Sequence, residues 1–215
     1  MDIFKGVEAD ITLEMSPQKP RIGLLGGAFD PPHLAHRALA EAAITALALD
    51  ELIVLPTGQA WHKARPLSPA EHRVAMARLL FAGLPRVTVD ERETCRAGAT
   101  YTIDTLRELI DERPGAQWFL IIGADQARAF GTWREWRSIL ALATVCVAAR
   151  GGSDGGASSL EGDLAGHALM LPLPRMDLSA TQIRERVAAG QPVSDLAGSA
   201  VAGYIARQHL YSART

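Results

Sequence analysis

Short apolar runs ending in glycine or proline alternate along this chain with longer segments of helical period, and that alternation restricts the fold more than any other feature. Arg21–Gly27 (RIGLLGG) is apolar and stopped by two glycines, the pattern of a buried strand entering a tight turn. Leu34–Leu49 follows, rich in Ala and Leu, with Leu39, Ala43, Ala46 and Leu47 at helical spacing. Glu51–Pro56 reads as the next strand. Pro69–Ala82 reads as the next helix, with Ser68 as N-cap and Glu71 at the third helical position. The pattern continues through a strand at Arg86–Asp90, a helix at Tyr101–Glu112 and a strand at Gln117–Ile122. Helical segments at Ala124–Phe130 and Trp133–Leu142 lead into a strand at Thr144–Ala149. Beyond the Gly/Ser-rich stretch Gly151–Ser159, read as a surface loop, His167–Leu171 supplies one more strand. Ser179–Ala189 and Ser199–Gln208 read as helices, with Gly190 as a C-cap signal. The expectation is an α/β fold, a parallel sheet wrapped by helices. Ligands in such sheets bind beyond the carboxyl ends of the strands. That directs attention to 26–36, 56–66, 123–125 and the chain from 150 onward.

Composition narrows the class. The 215 residues carry a formal net charge of −2, which argues against a general nucleic-acid or membrane-surface binder. The length suits one domain, taken as residues 21–215, with 178–215 as its helical C-terminal part. Cys95 and Cys146 are far apart and match no zinc spacing, so a disulfide scaffold is excluded and a reducing compartment is the default. No stretch approaches the ~20 apolar residues that a bilayer span requires. Met1–Pro20 has no apolar core segment and reads as a loose leader. A soluble cytoplasmic protein is expected, and homo-oligomer formation is left open.

Two segments carry chemistry. The first strand-to-helix turn reads Gly26-Gly27-Ala28-Phe29-Asp30-Pro31-Pro32-His33-Leu34-Ala35-His36. Two glycines let a phosphate-bearing ligand approach the backbone, and the following helix offers unpaired N–H groups and the positive end of its dipole. Pro31 and Pro32 suit a helix entry. His33 and His36 are three apart, so both rings lie on one face where ring N–H groups could donate to phosphate oxygens. A solvated histidine pair or a metal pair is the competing reading. Gly23, Gly26 and Gly27 miss the dinucleotide-binding spacing, and no Gly-Lys-Ser/Thr follows, which excludes a P-loop. Far downstream, Ser179 with Gln182 forms a capping box that starts a helix, and Thr181 and Arg184 share a face near its start. Hydroxyls, backbone N–H groups and a guanidinium together make an anion site; a plain cap with an exposed Arg is the alternative.

The upstream turn resembles the GGxFDPxHxGH signature of nucleotidylyltransferases, with Ala35 where that family usually has Gly. Leu178–Arg184 (LSATQIR) is similar to the family's I-S-[SA]-T-x-I-R element. From Arg21 through Tyr211 the chain resembles the bacterial nicotinate-nucleotide adenylyltransferase family. Pro56–Lys63 stands at that family's P-x-x-x-P-P-H-K/R loop, with Ala60-Trp61 replacing the two prolines. Asp90–Glu93 and Thr100–Leu106 resemble its D-x-x-E and S-Y-T-x-x-T-L elements, and Ile121–Asp125 with Thr132-Trp133 its I-x-G-x-D and T-W pair.

The resemblance implies a Rossmann-like nucleotidylyltransferase fold. It also implies an activity: transfer of AMP from ATP to nicotinate mononucleotide, giving nicotinate adenine dinucleotide and pyrophosphate in NAD biosynthesis. It places ATP on Gly26, Gly27, Ala28, Phe29, His33, His36, Asp125, Ser179, Thr181 and Arg184, with His33, His36 and Arg184 as catalytic residues. It places the mononucleotide on Thr57, His62, Lys63, Thr102, Trp133 and Arg150, with the Trp133 ring on the base and Thr102 at the carboxylate. Mg²⁺ is expected to bridge the ATP phosphates without a dedicated protein cage. Each of these residues has a bland counterpart: Trp133 as core, Thr102 as a helix cap, Asp125 as a cap, and His62 and Lys63 as exposed loop. Arg107, Glu108 and Arg137 read as solvated helix faces, and both cysteines as structural. Another small adenylyltransferase of the pantetheine-phosphate type is the nearest alternative, disfavoured by Thr102 with Trp133 and by the long C-terminal part. A non-catalytic nucleotide-binding regulatory module is the other. Replacement of His33, His36 or Arg184 would have favoured it, and all three are present.

Overall fold

A computed structural model describes residues 18–59, 66–150, 164–174 and 176–212. Six strands form one sheet: β1 (Arg21–Gly27), β2 (Glu51–Pro56), β3 (Val87–Val89), β4 (Gln117–Ile122), β5 (Thr144–Arg150) and β6 (Ala168–Leu173). Their order is β3-β2-β1-β4-β5-β6, and every neighbouring pair is parallel, as the alternation of strand and helix predicts. The longer helices are α1 (Leu34–Ala46), α2 (Ala70–Phe81), α4 (Thr102–Glu112), α6 (Trp136–Leu142), α7 (Ala180–Ala188) and α9 (Ser199–Arg207). Three shorter ones are α3 (Arg92–Cys95), α5 (Ala124–Arg128) and α8 (Ser194–Ala197). Neither α3 nor α8 is legible in the sequence, because four residues are too few to establish a helical period.

The strands are apolar throughout because both faces of the sheet are covered. Side chains alternate in β1, with Ile22 and Leu24 on one face and Leu25 on the other. In β2, Leu52 and Val54 oppose Ile53 and Leu55; in β4, Phe119 and Ile121 oppose Trp118, Leu120 and Ile122. One core contains Leu39, Ala40 and Ala43 of α1 and Met76, Ala77 and Leu80 of α2, together with Ile183, Leu196, Val201 and Ile205 of the C-terminal helices. The 178–212 segment is therefore packed into the same core as α1 and α2. The opposite core contains Ile103, Leu106 and Leu109 of α4 with Ile139 of α6.

Several local expectations are corrected. Helix α1 starts at Leu34, as expected, with His33 as N-cap and Pro31 and Pro32 at its entry, but it ends at Ala46 rather than Leu49. Pro69, not Ser68, occupies the N-cap of α2; the Ser68 N–H instead donates to Asp30 and its carbonyl accepts from Arg73. Trp133–Leu142 is not one helix. Glu135 adopts a left-handed conformation (φ 51°), and α6 begins only at Trp136. Tyr101, not Thr102, is the N-cap of α4. Arg107, Glu108 and Arg137 are exposed, as expected for solvated helix faces, with Arg107 ion-paired to Glu135, Glu108 to Arg96 and Arg137 stacked on Trp136. The expected leader is described only from residue 18.

Strand order reverses between β1 and β4, whose neighbours lie on opposite sides of the pair. Crossovers leave in opposite directions there and open a crevice at the carboxyl ends. Gly23, in mid-β1, keeps the layers beneath that crevice close: a Cβ there would stand 2.6 Å from Leu49 Cδ1, 2.8 Å from Leu52 Cδ1 and 2.9 Å from Ile121 Cδ1. Those three side chains are fully buried. Gly23→Ala is expected to lower unfolding free energy by about 1–3 kcal/mol through overpacking, measured by urea denaturation. An unchanged midpoint would show that the layers can move apart.

Candidate active site

The crevice is a cleft of about 930 Å³ lined from both sides of the strand-order reversal by Gly26, Gly27, His33, His36, Thr102, Asp125, Trp133, Ser179, Thr181 and Arg184. Gly26 has no atom within 4 Å of an added Cβ, so its backbone lies open to the cleft. Gly27 is filled from below: its added Cβ would lie 3.1–3.4 Å from the Phe29 ring. Phe29 is buried against Phe81 and His36, and its backbone is left-handed (φ 47°). That conformation costs a non-glycine residue on the order of 1–3 kcal/mol and persists only where surroundings enforce it.

At the start of α1 the two imidazoles stack, with ring centroids 3.8 Å apart. The His33 N–H donates to His36 Nδ1 at 3.2 Å, so neutral His36 carries its ring proton on Nε2 and can donate from that side. His33 is only 8% exposed and its Nδ1 has no hydrogen-bond partner among the described residues. Burial pushes its pKa down to about 4, so the ring is neutral near pH 7.

The downstream element meets this turn directly. Ser179 caps α7, its hydroxyl accepting from the Gln182 N–H at 3.1 Å. One turn on, Arg184 donates from one nitrogen to Thr181 Oγ1 at 2.9 Å and from the other to the Asp30 carbonyl at 2.8 Å. Asp30 is 3% exposed. Its carboxylate accepts from the Tyr211 hydroxyl at 2.6 Å and from the Ser68 N–H at 3.2 Å. Beside it, Arg73, also 3% exposed, donates to the carbonyls of Ala28 (3.0 Å), Thr57 (2.6 Å) and Ser68 (2.9 Å). Burial lowers the Arg73 pKa from its ordinary value while the Asp30 charge opposes that shift. A buried cation and a buried anion thus join the signature turn, the end of β2 and the entry to α2.

At the other end of the cleft, Thr57 follows β2, with its N–H on the Gly27 carbonyl at 2.8 Å. Gly58 fits against the backbone before α4: an added Cβ would lie 2.1 Å from the Glu93 carbonyl oxygen. The Glu93 side chain is 8% exposed and accepts from Thr105 Oγ1 at 2.9 Å, while Arg96 donates to the same hydroxyl oxygen at 3.1 Å. Burial raises the Glu93 pKa, and the Thr105 contact and Arg96 charge oppose that shift. Thr102 opens α4 at this wall, and half-buried Trp133 stands across from it, its ring 5.3 Å from that of Phe130. Arg134 stacks on Tyr101, its guanidinium carbon 4.7 Å from the ring centroid. Asp125, in the first turn of α5, is exposed and ion-paired with Arg128. Arg150 closes β5 in register with Leu173. His62 and Lys63 lie outside the described residues.

Sequence reasoning missed Arg73, Glu93, Arg134 and Tyr211 as parts of this site. Glu93 lies within the quoted D-x-x-E element, and Arg134 adjoins Trp133, so both carried a positional signal. Arg73 looks like any helical arginine, and Tyr211 acts on Asp30 across 181 residues.

Residues 24–186 match the cytidylyltransferase-like family model. A protein of Albidiferax ferrireducens described as a probable nicotinate-nucleotide adenylyltransferase is 53% identical over 193 residues, covering 89% of this chain and 98% of its own. A protein of Methylibium petroleiphilum with the same description is 44% identical over 207 residues, covering 93% and 96%. Among solved structures, the Plasmodium falciparum nicotinic acid mononucleotide adenylyltransferase complexed with NaAD superposes with a TM-score of 0.74 at 19% identity, covering 89% of this chain and 97% of that one.

The buried His33 ring makes stability pH-dependent in a defined direction. Its folded pKa of about 4 lies below the unfolded value near 6.5, so the unfolded chain binds more protons between these limits and stability falls as pH drops through that window. At ~1.4 kcal/mol per pH unit the loss amounts to about 3 kcal/mol. Urea denaturation of wild type and His33→Gln at pH 6.5 and pH 4 is expected to show that excess loss in wild type alone. Equal losses would mean that His33 titrates normally.

Proposed function

The chain belongs to the nicotinate-nucleotide adenylyltransferase family, and from that premise we propose that it transfers AMP from ATP to nicotinate mononucleotide, releasing nicotinate adenine dinucleotide and pyrophosphate. The observation that carries this reading is the 2.8 Å bond from Arg184 to the Asp30 carbonyl, which joins two signature elements 154 residues apart at one cleft.

The nucleophile is the phosphate of the mononucleotide. With a second pKa near ~6 it is mostly a dianion at neutral pH and needs no general base. One of its oxygens attacks the α-phosphorus of ATP, a new P–O bond forms there, and the bond to the β-phosphate oxygen breaks in line. Pyrophosphate leaves with the electron pair. Rate enhancement then rests on alignment and on neutralising triphosphate charge. Gly26, Gly27, Ala28 and Phe29 offer backbone to the phosphates; His36 donates from Nε2–H, with the neutral His33 ring stacked beneath it. Arg184 supplies a guanidinium oriented by Asp30 and Thr181, Ser179 lies at the start of the same helix, and Asp125 faces a nucleotide ribose. Mg²⁺ would enter with ATP as part of that substrate and would help to neutralise its phosphate charge.

The mononucleotide occupies the end bounded by Thr57, Thr102 and Trp133, with His62, Lys63 and Arg150 on its phosphate. Trp133 stacks on the base. The first turn of α4, at Thr102, would present backbone N–H groups and a positive dipole end to the base's carboxylate. An acid makes charge-assisted bonds there, whereas an amide sets its NH₂ against donors and leaves them poorly paired at ~1–3 kcal/mol per buried group. Pyrophosphate release is to be measured with ATP and one acceptor at a time: nicotinate mononucleotide, nicotinamide mononucleotide or phosphopantetheine. Nicotinate mononucleotide is expected to exceed its amide by at least ~10²-fold in kcat/KM, and phosphopantetheine to give no turnover. Trp133→Ala should weaken both pyridine mononucleotides alike. Comparable kcat/KM for acid and amide would refute the selectivity, and turnover with phosphopantetheine alone would refute the reaction.

A further inference from the structure

We propose that Tyr211 is a positioning residue that holds the ATP-phosphate turn in place through the buried carboxylate of Asp30, an inference that rests on the function proposed above. Tyr211 lies beyond α9, in the last turn of the described chain, and its hydroxyl donates to Asp30 Oδ1 at 2.6 Å. Asp30 directly follows Phe29, whose left-handed backbone persists only while its neighbours enforce it. Three separate parts of the chain grip Asp30: Tyr211 on one carboxylate oxygen, the Ser68 N–H on the other at 3.2 Å, and Arg184 on the carbonyl at 2.8 Å. The Tyr211 contact is the one that a single-atom change removes while every residue assigned to ATP remains.

The phenol is a dependable donor. Burial, and then its bond to Asp30, push its pKa above the ordinary tyrosine range, so it stays protonated wherever the enzyme works. Without the hydroxyl, a carboxylate that is only 3% exposed loses one of its donors, and the tie between the C-terminal segment and the turn is cut. Among the described residues, the guanidinium groups of Arg73 and Arg184 are close enough to answer that charge. A shift of Arg184 toward the carboxylate takes it from Thr181 and from the phosphate position, and a shift of Arg73 loosens the Ala28 carbonyl. Both movements act on the ATP end of the cleft. Trp133 packs against the α4–α6 core on the opposite face of the sheet and Thr102 is the first residue of α4, so the mononucleotide end is expected to be insensitive to this tether.

The test compares Tyr211→Phe with Tyr204→Phe. Tyr204 is on α9, and its hydroxyl lies 2.9 Å from His72 Nδ1 on α2, so it anchors the same C-terminal segment without touching the turn. ATP affinity is read by calorimetry without the second substrate, and KM and kcat are read for each substrate in the full reaction. Tyr211→Phe is expected to weaken ATP binding at least tenfold and to lower kcat/KM for ATP by roughly 10–100-fold, the scale of a small misplacement of reacting groups. KM for nicotinate mononucleotide is expected to stay within twofold, and Tyr204→Phe to stay within twofold in every respect. ATP affinity within twofold of wild type in Tyr211→Phe, or an equal loss in Tyr204→Phe, would overturn the proposal. Calorimetry keeps the two claims apart: a wild type that binds ATP but releases no pyrophosphate with nicotinate mononucleotide would refute the reaction, while its affinity ratio to Tyr211→Phe still decides the tether.

Discussion

Asp30 carries a negative charge at a position 3% exposed to solvent, and the surrounding structure has to answer it. An ionised carboxylate out of water is costly unless donors are placed around it, and removing one partner of a buried charged network costs ~3–5 kcal/mol. Those donors come from widely separated parts of the chain: the Ser68 N–H and the Tyr211 hydroxyl, with the Arg73 charge nearby. Meeting them requires α2, the signature turn and the C-terminal segment to assemble in one arrangement. The same arrangement sets the Phe29 backbone, exposes Gly26 and brings Arg184 onto the Asp30 carbonyl. A local electrostatic demand therefore shapes the floor of the site.

The sheet supplies the rest of the geometry. With order β3-β2-β1-β4-β5-β6 and all strands parallel, the reversal between β1 and β4 places the ends of both strands at a single crevice. Elements that approach it from the α1–α2 side carry Asp30, His33, His36 and Arg184; those from the α4–α6 side carry Thr102, Trp133 and Arg134. In the proposed reaction the two substrates would meet at that crevice, one held from each side. In-line attack would then require the acceptor phosphate and the leaving pyrophosphate to lie on opposite sides of the α-phosphorus.

Much of this was legible in the sequence, and the reasons are local. Strand-by-strand apolar runs such as RIGLLGG and ELIVLP, separated by helical periods, admit few folds other than a doubly covered parallel sheet. Ser179 caps α7 through the Gln182 N–H, the half of the expected capping box that the structure shows. Errors arose where a tertiary demand overrode a local preference. Ser68 would cap α2 in isolation, but its N–H is needed by Asp30 and its carbonyl by Arg73. Trp133 could open a helix, but Glu135 takes a left-handed conformation and delays it. Arg73 and Tyr211 carry no local signal at all. Arg73 reaches Ala28 across 45 residues and Thr57 across 16, and Tyr211 reaches Asp30 across 181, contacts that single-sequence periodicity does not record.

The central claim is that the signature turn and Arg184 form one phosphate-binding unit, and Arg184→Lys tests it most directly. Lysine keeps the positive charge but has no planar fork to hold the Asp30 carbonyl and Thr181 Oγ1 together. Steady-state kinetics with each substrate varied in turn are expected to show kcat/KM for ATP reduced at least ~10-fold, as for one lost charge-assisted bond, with KM for nicotinate mononucleotide unchanged. Unchanged kcat and KM for ATP in the lysine variant would contradict the account and reduce the element from Ser179 to Arg184 to a helix cap.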